Sequence, residues 1–168
     1  MKSCLFRYIT TVLTQSEQSL TGHNAKWKSW TIFHLLHGMG YQMECINWKN
    51  NGFTITHTYD VVFDIIALPE LSKGFGKDTV KIFMLTGSDN VDRNTRALGR
   101  VDQVNERRDS KLKYSRYISD PEKVYKSIEL ADHVLITGNE ASKRTYPERY
   151  WDKINLVNVT SANAWGLV

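Results

Sequence analysis

The 168-residue chain has little cysteine and lacks long apolar runs, internal repeats and low-complexity tracts. Its two cysteines, Cys4 and Cys45, are too few for a disulfide framework or a cysteine-rich metal site. Each falls in a segment that we predict to be a buried strand, where a free thiol acts as a small apolar side chain. This cysteine usage indicates a reducing, cytoplasmic environment.

The sequence also shows no pattern typical of a targeting or membrane-spanning segment. The early apolar stretch carries Arg7 and has no small-residue cleavage site, so it does not resemble a signal peptide. No apolar run approaches the roughly 20 residues that cross a bilayer. With a net charge of +4, the chain is expected to favour anionic partners, and peripheral contact with a membrane surface fits this balance.

The composition is that of one ordinary globular domain. Hydrophobic residues make up 41% of the chain and charged residues 24%, which excludes the disordered class. The length suits a single domain with a core of its own. Five Trp and eight Tyr form a heavy aromatic load, which cores, pockets and interfaces all collect.

Apolar runs alternate with longer amphipathic segments along the chain. Several runs are almost continuously apolar, as strands are when helices cover both faces of a sheet. We predict six strands, within residues 4–13, 43–48, 61–68, 80–86, 133–137 and 154–159. The polar, turn-rich residues 49–58 are predicted to form a loop or a ragged edge element.

The segments between these runs predict helices. A broad apolar face made by Trp27, Trp30, Ile32, Phe33, Leu35, Leu36 and Met39 indicates the first helix, which Gly38 and Gly40 would end. Residues 92–108 form a second candidate. Asp120 followed by Pro121 predicts the start of a third.

Strands and helices in alternation predict right-handed crossovers and a parallel sheet. We therefore expect a single Rossmann-like, three-layer α/β domain with a mostly parallel sheet over residues 1–160. Residues 161–168 would begin a linker to another domain. In an open parallel sheet, ligands bind beyond the carboxyl ends of the strands, so the loops there are the candidate site.

The loop after the first strand contains Gly22, His23 and Asn24. A glycine-containing loop that leads into a helix can bind an anion through backbone N–H groups. A plain surface connection capped by Asn24 is the alternative. His23 is the one histidine placed for proton transfer, and no residue is assigned as catalytic.

Two further loops carry small and polar residues after the fourth and fifth strands. These are Thr86, Gly87, Ser88 and Asp89 in the first, and Gly138 and Asn139 in the second. Their hydroxyl, amide and carboxylate groups suit sugar hydroxyls, and glycine allows close approach of a ligand. Alternatively, Ser88 or Asp89 caps the following helix.

Arg93, Arg96 and Arg100 recur at helical spacing and make a candidate anion-binding face. Guanidinium groups suit phosphate, whereas the alternative is a solvated helix face balanced by neighbouring acids. Nucleic-acid binding would rest on this charge alone, and we expect no nucleic-acid partner.

Several site types are excluded by absent patterns. Neither a G-x-G-x-x-G sequence nor a P-loop is found, which argues against a standard dinucleotide or nucleoside triphosphate site. His34 and His37 stand three apart without a third ligand, so we expect no metal. We expect no other cofactor either.

Three segments resemble retaining GT-B glycosyltransferases of the family 4 (group 1) type. Residues 130–139, followed by 142–146 and 152–157, are similar to a helix ending in Ala-Asp, a strand with a small polar turn, and a Lys-Ile strand leading to the interdomain linker. Residues 30–41 resemble the first helix, and Thr86-Gly-Ser88 occupies the fourth-strand loop. Many members have a histidine in that loop, and paired glycines after the first strand where this chain has only Gly22.

The resemblance implies an N-terminal, acceptor-side domain of a two-domain enzyme. Such a domain holds a saccharide, lipid or protein acceptor, while a C-terminal domain or partner subunit binds the nucleotide-sugar donor. The expected reaction is hexose transfer, with the isolated chain inactive because transfer needs both substrates positioned together. The competing hypothesis is a stand-alone Rossmann-like module that binds a nucleotide or sugar phosphate without catalysis.

Overall fold

A computed structural model describes residues 2–20, 24–115 and 120–157 of the chain. Six strands occur along these residues, as the apolar runs predict, and helices lie between all consecutive strands except β2 and β3. The strands are β1 (Ser3–Tyr8), β2 (Gln42–Asn47), β3 (Tyr59–Asp64), β4 (Phe75–Leu85), β5 (His133–Thr137) and β6 (Ile154–Val157). The α-helices are α1 (Asn24–Gly38), α2 (Asn90–Arg108), α3 (Pro121–Leu130) and α4 (Glu140–Lys143).

The strands form one six-stranded sheet in the order β2-β1-β3-β4-β5-β6, and every neighbouring pair is parallel. The expected Rossmann-like α/β domain with a parallel sheet is thereby confirmed. The chain first moves from β1 outward to β2 and then returns past β1 to β3. The direction of strand order therefore reverses between β1 and β3, which is where doubly wound sheets form a binding crevice.

Each face of the sheet has its own apolar core. One core joins Phe6, Phe63 and Met84 of the sheet to Leu36 of α1. The other core is larger and packs Ile128 of α3 against the opposite face. The connection between β2 and β3 (residues 48–58), the 3-10 segment Leu68–Gly74 and the residues after α4 also contribute to this second core.

Helix α1 packs on the sheet through a narrower stripe than the sequence predicts. Leu36 is buried, and Ala25, Ile32 and Phe33 are partly buried against the same core. Leu35 and Met39 are both 62% exposed, so their predicted place in the apolar face is wrong. The helix touches the sheet along one side only, and these two residues lie off the contacting stripe. Gly40, with φ of 87°, ends the helix as predicted.

The predicted helix starts at α2 and α3 are confirmed by their capping hydrogen bonds. The Asp120 carboxylate accepts from the backbone N–H of Lys123 at 3.3 Å, with Pro121 at the first helical position. At α2, the Asp89 carboxylate accepts from the backbone N–H of Val91 at 2.6 Å. Asp89 therefore caps α2, which is the alternative to ligand binding that the sequence analysis gave for this residue.

Three strand limits and one cysteine differ from the sequence predictions. Strand β3 ends at Asp64 rather than at Leu68, because the Asp64 carboxylate accepts from the backbone N–H groups of the next three residues and turns the chain. Strand β1 ends at Tyr8, because Thr10–Val12 turns into a 3-10 helix. Strand β4 begins at Phe75, five residues before its apolar run, and its register against β3 shifts between Tyr59 and Val61. Cys45 is exposed, although Cys4 is buried as predicted, because β2 is the edge strand of the sheet.

The predicted linker at residues 161–168 lies outside the described residues. Among the helices of the described part of the chain, none is long and apolar enough to cross a membrane. The loop predicted for residues 49–58 is confirmed, since the strand β3 starts only at Tyr59.

Candidate functional site

A pocket of about 560 Å³ opens at the carboxyl edge of the sheet, over the β1/β3 reversal. This volume lies within the range of small-molecule sites in proteins. The lining residues come from the ends of strands β1 to β5 and from the first turns of α1. They are Tyr8, Ile9, Asn24, Ala25, Lys28, Trp48, Ile65, Ile66, Thr86 and Thr137.

Tyr8, the last residue of β1, lines this pocket with an unpaired hydroxyl. Its side chain is 1% exposed, and the hydroxyl oxygen has no hydrogen-bond partner among the described residues. Burial raises the pKa of Tyr8 to about 12, so the phenol is a neutral hydrogen-bond donor at physiological pH. A buried hydroxyl without a partner is unusual and demands an explanation.

Lys28 brings a positive charge to the same pocket from α1. It lies one helical turn after Asn24, which places both residues on the pocket side of the helix. Burial lowers the pKa of Lys28, and no carboxylate within the described residues forms an ion pair with it. The described part of the fold therefore supplies no acidic partner to the Lys28 side chain.

The opposite side of the pocket is apolar and aromatic. Ile65 and Ile66 follow β3 and are partly buried, and the Trp48 indole is 39% exposed after β2. Thr86 follows β4 and Thr137 ends β5, and both add hydroxyl groups. A few polar groups converging on an apolar wall are typical of sites that orient a small organic ligand.

A buried ion pair holds the Ile65–Ile66 wall in place. Arg7 of β1 and Asp64 of β3 pair through two hydrogen bonds of 2.7 Å, and their side chains are 2% and 0% exposed. The Asp64 carboxylate also accepts from the backbone N–H groups of Ile65, Ile66 and Ala67. Five hydrogen bonds to one carboxylate fix the turn that forms the wall.

Arg7 is further tied to Glu70, which accepts from it at 2.8 Å. Burial alone would lower the pKa of Arg7, but hydrogen bonds and charge from Asp64 and Glu70 raise it. For Glu70, burial acts to raise the pKa, while Arg7 and then Lys123 lower it more strongly. These charges are thus matched within the fold.

A second pocket of about 530 Å³ lies beside this network, bordered by Phe53, Glu70, Lys73 and Lys123. Glu70 is already paired here, with Arg7 at 2.8 Å and with Lys123 at 3.3 Å. Glu70 and Lys123 are therefore paired within the fold, in contrast to Lys28 and Tyr8 in the first pocket, while the exposed Lys73 forms no ion pair among the described residues.

Of the residues predicted from the sequence, Asn24 and Thr86 line the pocket at the carboxyl edge. The predicted loops after β4 and β5 begin at this edge, as the parallel sheet requires. Gly22 and His23 lie outside the described residues. A binding role for Asn24 and Thr86 stays a prediction.

Gly87, Ser88 and Asp89 do not line the pocket. The Gly87 carbonyl accepts from the Tyr146 hydroxyl at 3.0 Å, and Ser88 is partly buried. Asp89 is 2% exposed and also accepts from the Tyr125 hydroxyl at 2.9 Å. Its carboxylate is occupied by structural partners.

Gly138 and Asn139 have structural roles after β5. A Cβ on Gly138 would lie 2.7 Å from the Ser142 hydroxyl oxygen, so this position has no room for a side chain. The exposed Asn139 accepts from the backbone N–H of Ser142 at 3.1 Å and caps α4. Neither residue borders the pocket.

Arg93, Arg96 and Arg100 are exposed on α2, away from the pocket lining. Arg96 pairs with Asp92 at 2.9 Å, and Arg93 donates to the Asn90 side chain at 3.1 Å. This arrangement supports the solvated helix face, while anion binding by these arginines stays a prediction.

The sequence analysis missed most of the pocket, including Tyr8, Lys28, Trp48 and the Ile65–Ile66 pair. Trp48 ends the predicted strand 43–48, so its position at this edge was available from the sequence. Tyr8 and the Ile65–Ile66 pair fall inside the predicted strands 4–13 and 61–68, because β1 and β3 end earlier than their apolar runs. Aromatic and aliphatic residues are also typical of a core, so their type alone does not indicate a pocket. Lys28 was available from its spacing of four residues after Asn24.

Within the described residues, no group of three or more His, Cys, Asp and Glu side chains is arranged to hold a metal ion. Comparison with protein-family models, curated proteins and solved structures finds no match to this chain. The glycosyltransferase resemblance therefore depends on the sequence segments described above.

Proposed function

We propose that the chain is the acceptor-binding domain of a two-domain hexosyltransferase, and that the pocket at the carboxyl edge of its sheet holds the acceptor. The activity requires a donor-binding domain or partner subunit for the nucleotide-sugar. The isolated chain would bind its acceptor without transferring sugar.

The observation that carries this proposal is the position of the pocket over the β1/β3 reversal. Five strand ends and the start of α1 contribute to one cavity at the edge where doubly wound domains bind ligands. The resemblance supplies the reaction, because acceptor-side domains of the GT-B type use this edge of the sheet.

The lining chemistry suits a sugar-like ligand. The Thr86 hydroxyl can donate and accept hydrogen bonds with sugar hydroxyls, whereas the Thr137 hydroxyl donates to the Leu85 carbonyl and can accept from a ligand. The Trp48 indole and the isoleucine side chains offer apolar surface to the C–H face of a sugar ring. Thr86 belongs to the fourth-strand loop that carries part of the resemblance.

The test is calorimetric titration of the chain with three ligand classes: hexoses, hexose phosphates, and nucleotide-sugars with uridine and guanosine. We expect a hexose or hexose phosphate to bind and to change Trp48 fluorescence, with nucleotide-sugars bound far more weakly. Trp48→Phe serves as the variant that removes the signal, and Trp151→Phe as its matched control outside the pocket.

Tight binding of a nucleotide-sugar to this chain alone would contradict the proposal. That result would favour the second candidate, a Rossmann-like nucleotide or sugar-phosphate binding module without catalysis. The partly exposed indole of Trp48 supports this candidate, because it can stack on a nucleobase.

We further propose a cytoplasmic location, with peripheral membrane contact when the acceptor is a lipid. The unpaired state of Cys4 and Cys45 supports a reducing compartment. Fractionation of cells that express the tagged full-length protein would test this location.

A further inference from the structure

The α1 side of the pocket carries a charge that nothing in the described chain neutralises. Lys28 is the one cation among the described lining residues, and no carboxylate lines the pocket with it. Asn24 and Ala25, at the start of α1, lie on the same side. The positive end of a helix dipole favours an anion at this place.

The Tyr8 hydroxyl is an independent observation that points to a ligand. Tyr8 lines the same pocket, and its buried hydroxyl lacks a hydrogen-bond partner among the described residues. An unpaired buried hydroxyl lowers stability, whereas phenylalanine at this place would not carry that cost. A ligand oxygen that accepts from Tyr8 would account for the hydroxyl.

Three features of this wall therefore favour the same ligand group: a cation, a neutral donor and the start of a helix. Phosphate oxygens accept hydrogen bonds strongly and carry the complementary charge. The remaining walls, with two threonine hydroxyls and apolar side chains, suit a sugar ring rather than a second charged group.

We infer that the pocket binds a phosphate ester of a hexose, with the phosphate held at Lys28, Tyr8 and the start of α1. This inference rests on the proposed function, since it names the class of acceptor that the same pocket takes. The free hexose would bind the apolar and hydroxyl walls without the contribution of the phosphate.

The test is titration of the full 168-residue chain with glucose, glucose 6-phosphate and inorganic phosphate. We expect the hexose phosphate to bind at least about tenfold more tightly than the hexose, as one charge-assisted hydrogen bond provides. Lys28→Met should remove this preference and leave hexose binding in place. Lys26→Met, on the exposed side of α1, is the matched control and should retain the preference.

Tyr8→Phe separates a ligand role from a structural one. We expect its thermal midpoint to equal or exceed that of the unaltered chain, while hexose phosphate binds about three- to tenfold more weakly. Tyr59→Phe is the control. Tyr59 lies at the amino end of β3, away from the pocket, and its hydroxyl donates to Glu44 at 2.6 Å. That control should lower stability and leave phosphate binding unchanged.

The outcomes separate this inference from the proposed function. Equal affinity for glucose and glucose 6-phosphate, or an unchanged preference in Lys28→Met, would overturn the phosphate site and leave the acceptor proposal standing. Binding of inorganic phosphate that depends on Lys28, with no contribution from any hexose, would support the phosphate site and contradict the acceptor proposal.

The phosphate ester has two sources, a soluble hexose phosphate or a lipid headgroup in which a polyol ring of similar size, such as inositol, carries the phosphate. Sedimentation with vesicles of phosphatidylcholine, with and without phosphatidylinositol phosphate, distinguishes them. Capture by the phosphoinositide vesicles that Lys28→Met abolishes would assign the ester to a lipid. Absence of capture, together with binding of glucose 6-phosphate, would assign it to a soluble ligand. Failure of all phosphate ligands to bind would overturn the inference.

Discussion

At the scale of single residues, the strongest constraint on this fold is the Arg7–Asp64 pair. Both side chains are nearly inaccessible to solvent, and a guanidinium and a carboxylate are matched through two hydrogen bonds. Such a pair adds little stability over an apolar pair, but loss of one partner leaves a buried charge uncompensated. The pair lies directly beneath the turn that bears Ile65 and Ile66, so it links stability to pocket shape.

Arg7→Met is expected to lower the free energy of unfolding by about 3–5 kcal/mol, because Asp64 would remain buried without its counterion. Arg7→Met combined with Asp64→Asn should be less destabilised than Arg7→Met alone, because the buried charge is gone. Urea denaturation followed by tryptophan fluorescence measures both. Arg96→Met, which breaks an exposed pair, should change stability by under about 0.5 kcal/mol. A double variant that is less stable to urea than Arg7→Met would contradict this account.

The two cysteines should differ in reactivity. Burial raises the pKa of the Cys4 thiol to about 12, and burial together with Glu44 raises that of Cys45 to about 11. Both thiols are thus protonated at neutral pH and react slowly, but only Cys45 is exposed. Labelling with a maleimide, read by peptide mass spectrometry, should modify Cys45 first. Labelling of Cys4 at an equal rate in the folded chain would refute the burial argument.

At the scale of elements, Asp89 holds together the segments that follow β4 and β5. Its carboxylate caps α2 through Val91 and accepts from Tyr125 of α3, and its backbone N–H donates to Thr145 at 2.8 Å. One residue therefore sets the start of α2 relative to α3 and the residues after α4. This explains why a polar residue is buried in a loop that the sequence presents as a binding loop.

Asp89→Ala is expected to lower the free energy of unfolding by about 2–3 kcal/mol, because a helix cap and a buried hydrogen bond to a charged group are both lost. Asp89→Asn should retain most of the stability, because its amide oxygen can still cap the helix. Thermal unfolding by circular dichroism measures both changes. If Asp89 instead serves a ligand, Asp89→Asn would weaken hexose phosphate binding while stability stays unchanged.

The sequence predicts the elements well because a parallel sheet covered on both faces needs continuous apolar strands. β3, which is almost wholly buried, shows this best. Polar segments are harder to assign: the start of β4 at Phe75 contains Gly76, Lys77 and Asp78 and gives no apolar run. Pairing with β3, which is a tertiary contact, makes this segment a strand.

The pocket lies at the edge of the sheet where the sequence analysis expected a site, but few of its lining residues were named from the sequence. A loop position shows which strand end a residue follows, and this correctly placed Asn24 and Thr86 at the pocket. It does not show whether a polar side chain faces a cavity or a neighbouring backbone, and Asp89 and Asn139 face the backbone. The unpaired state of Tyr8 and Lys28 is visible only once their surroundings are known.

At the scale of the whole molecule, ion pairs connect strands and helices that are distant in sequence. Glu70 joins Arg7 of β1 to Lys123 of α3, and Asp132 joins β5 to Lys81 of β4 at 2.8 Å. Burial acts to raise the pKa of both carboxyl groups, but their basic partners lower it below the ordinary values of 4.5 and 3.8. Acid therefore acts on contacts that join β1 to the segment after β3 and to α3, and β4 to the residue before β5.

The stability of the domain should fall in acid, with a sign that follows from these shifts. A carboxyl group whose pKa is lower in the folded chain binds fewer protons there than in the unfolded chain, so its contribution is complete above the unfolded pKa. That contribution decreases as the pH falls below about 4.5 and is lost once the folded-state pKa values are passed. Urea midpoints should therefore be level from about pH 7 to pH 5 and then decline.

Glu70→Gln should lower the urea midpoint at neutral pH and flatten its decline in acid. Glu106→Gln, at an exposed position of α2, is the control and should leave the pH profile unchanged. A Glu70→Gln profile as steep as that of the unaltered chain would show that the acid sensitivity arises elsewhere.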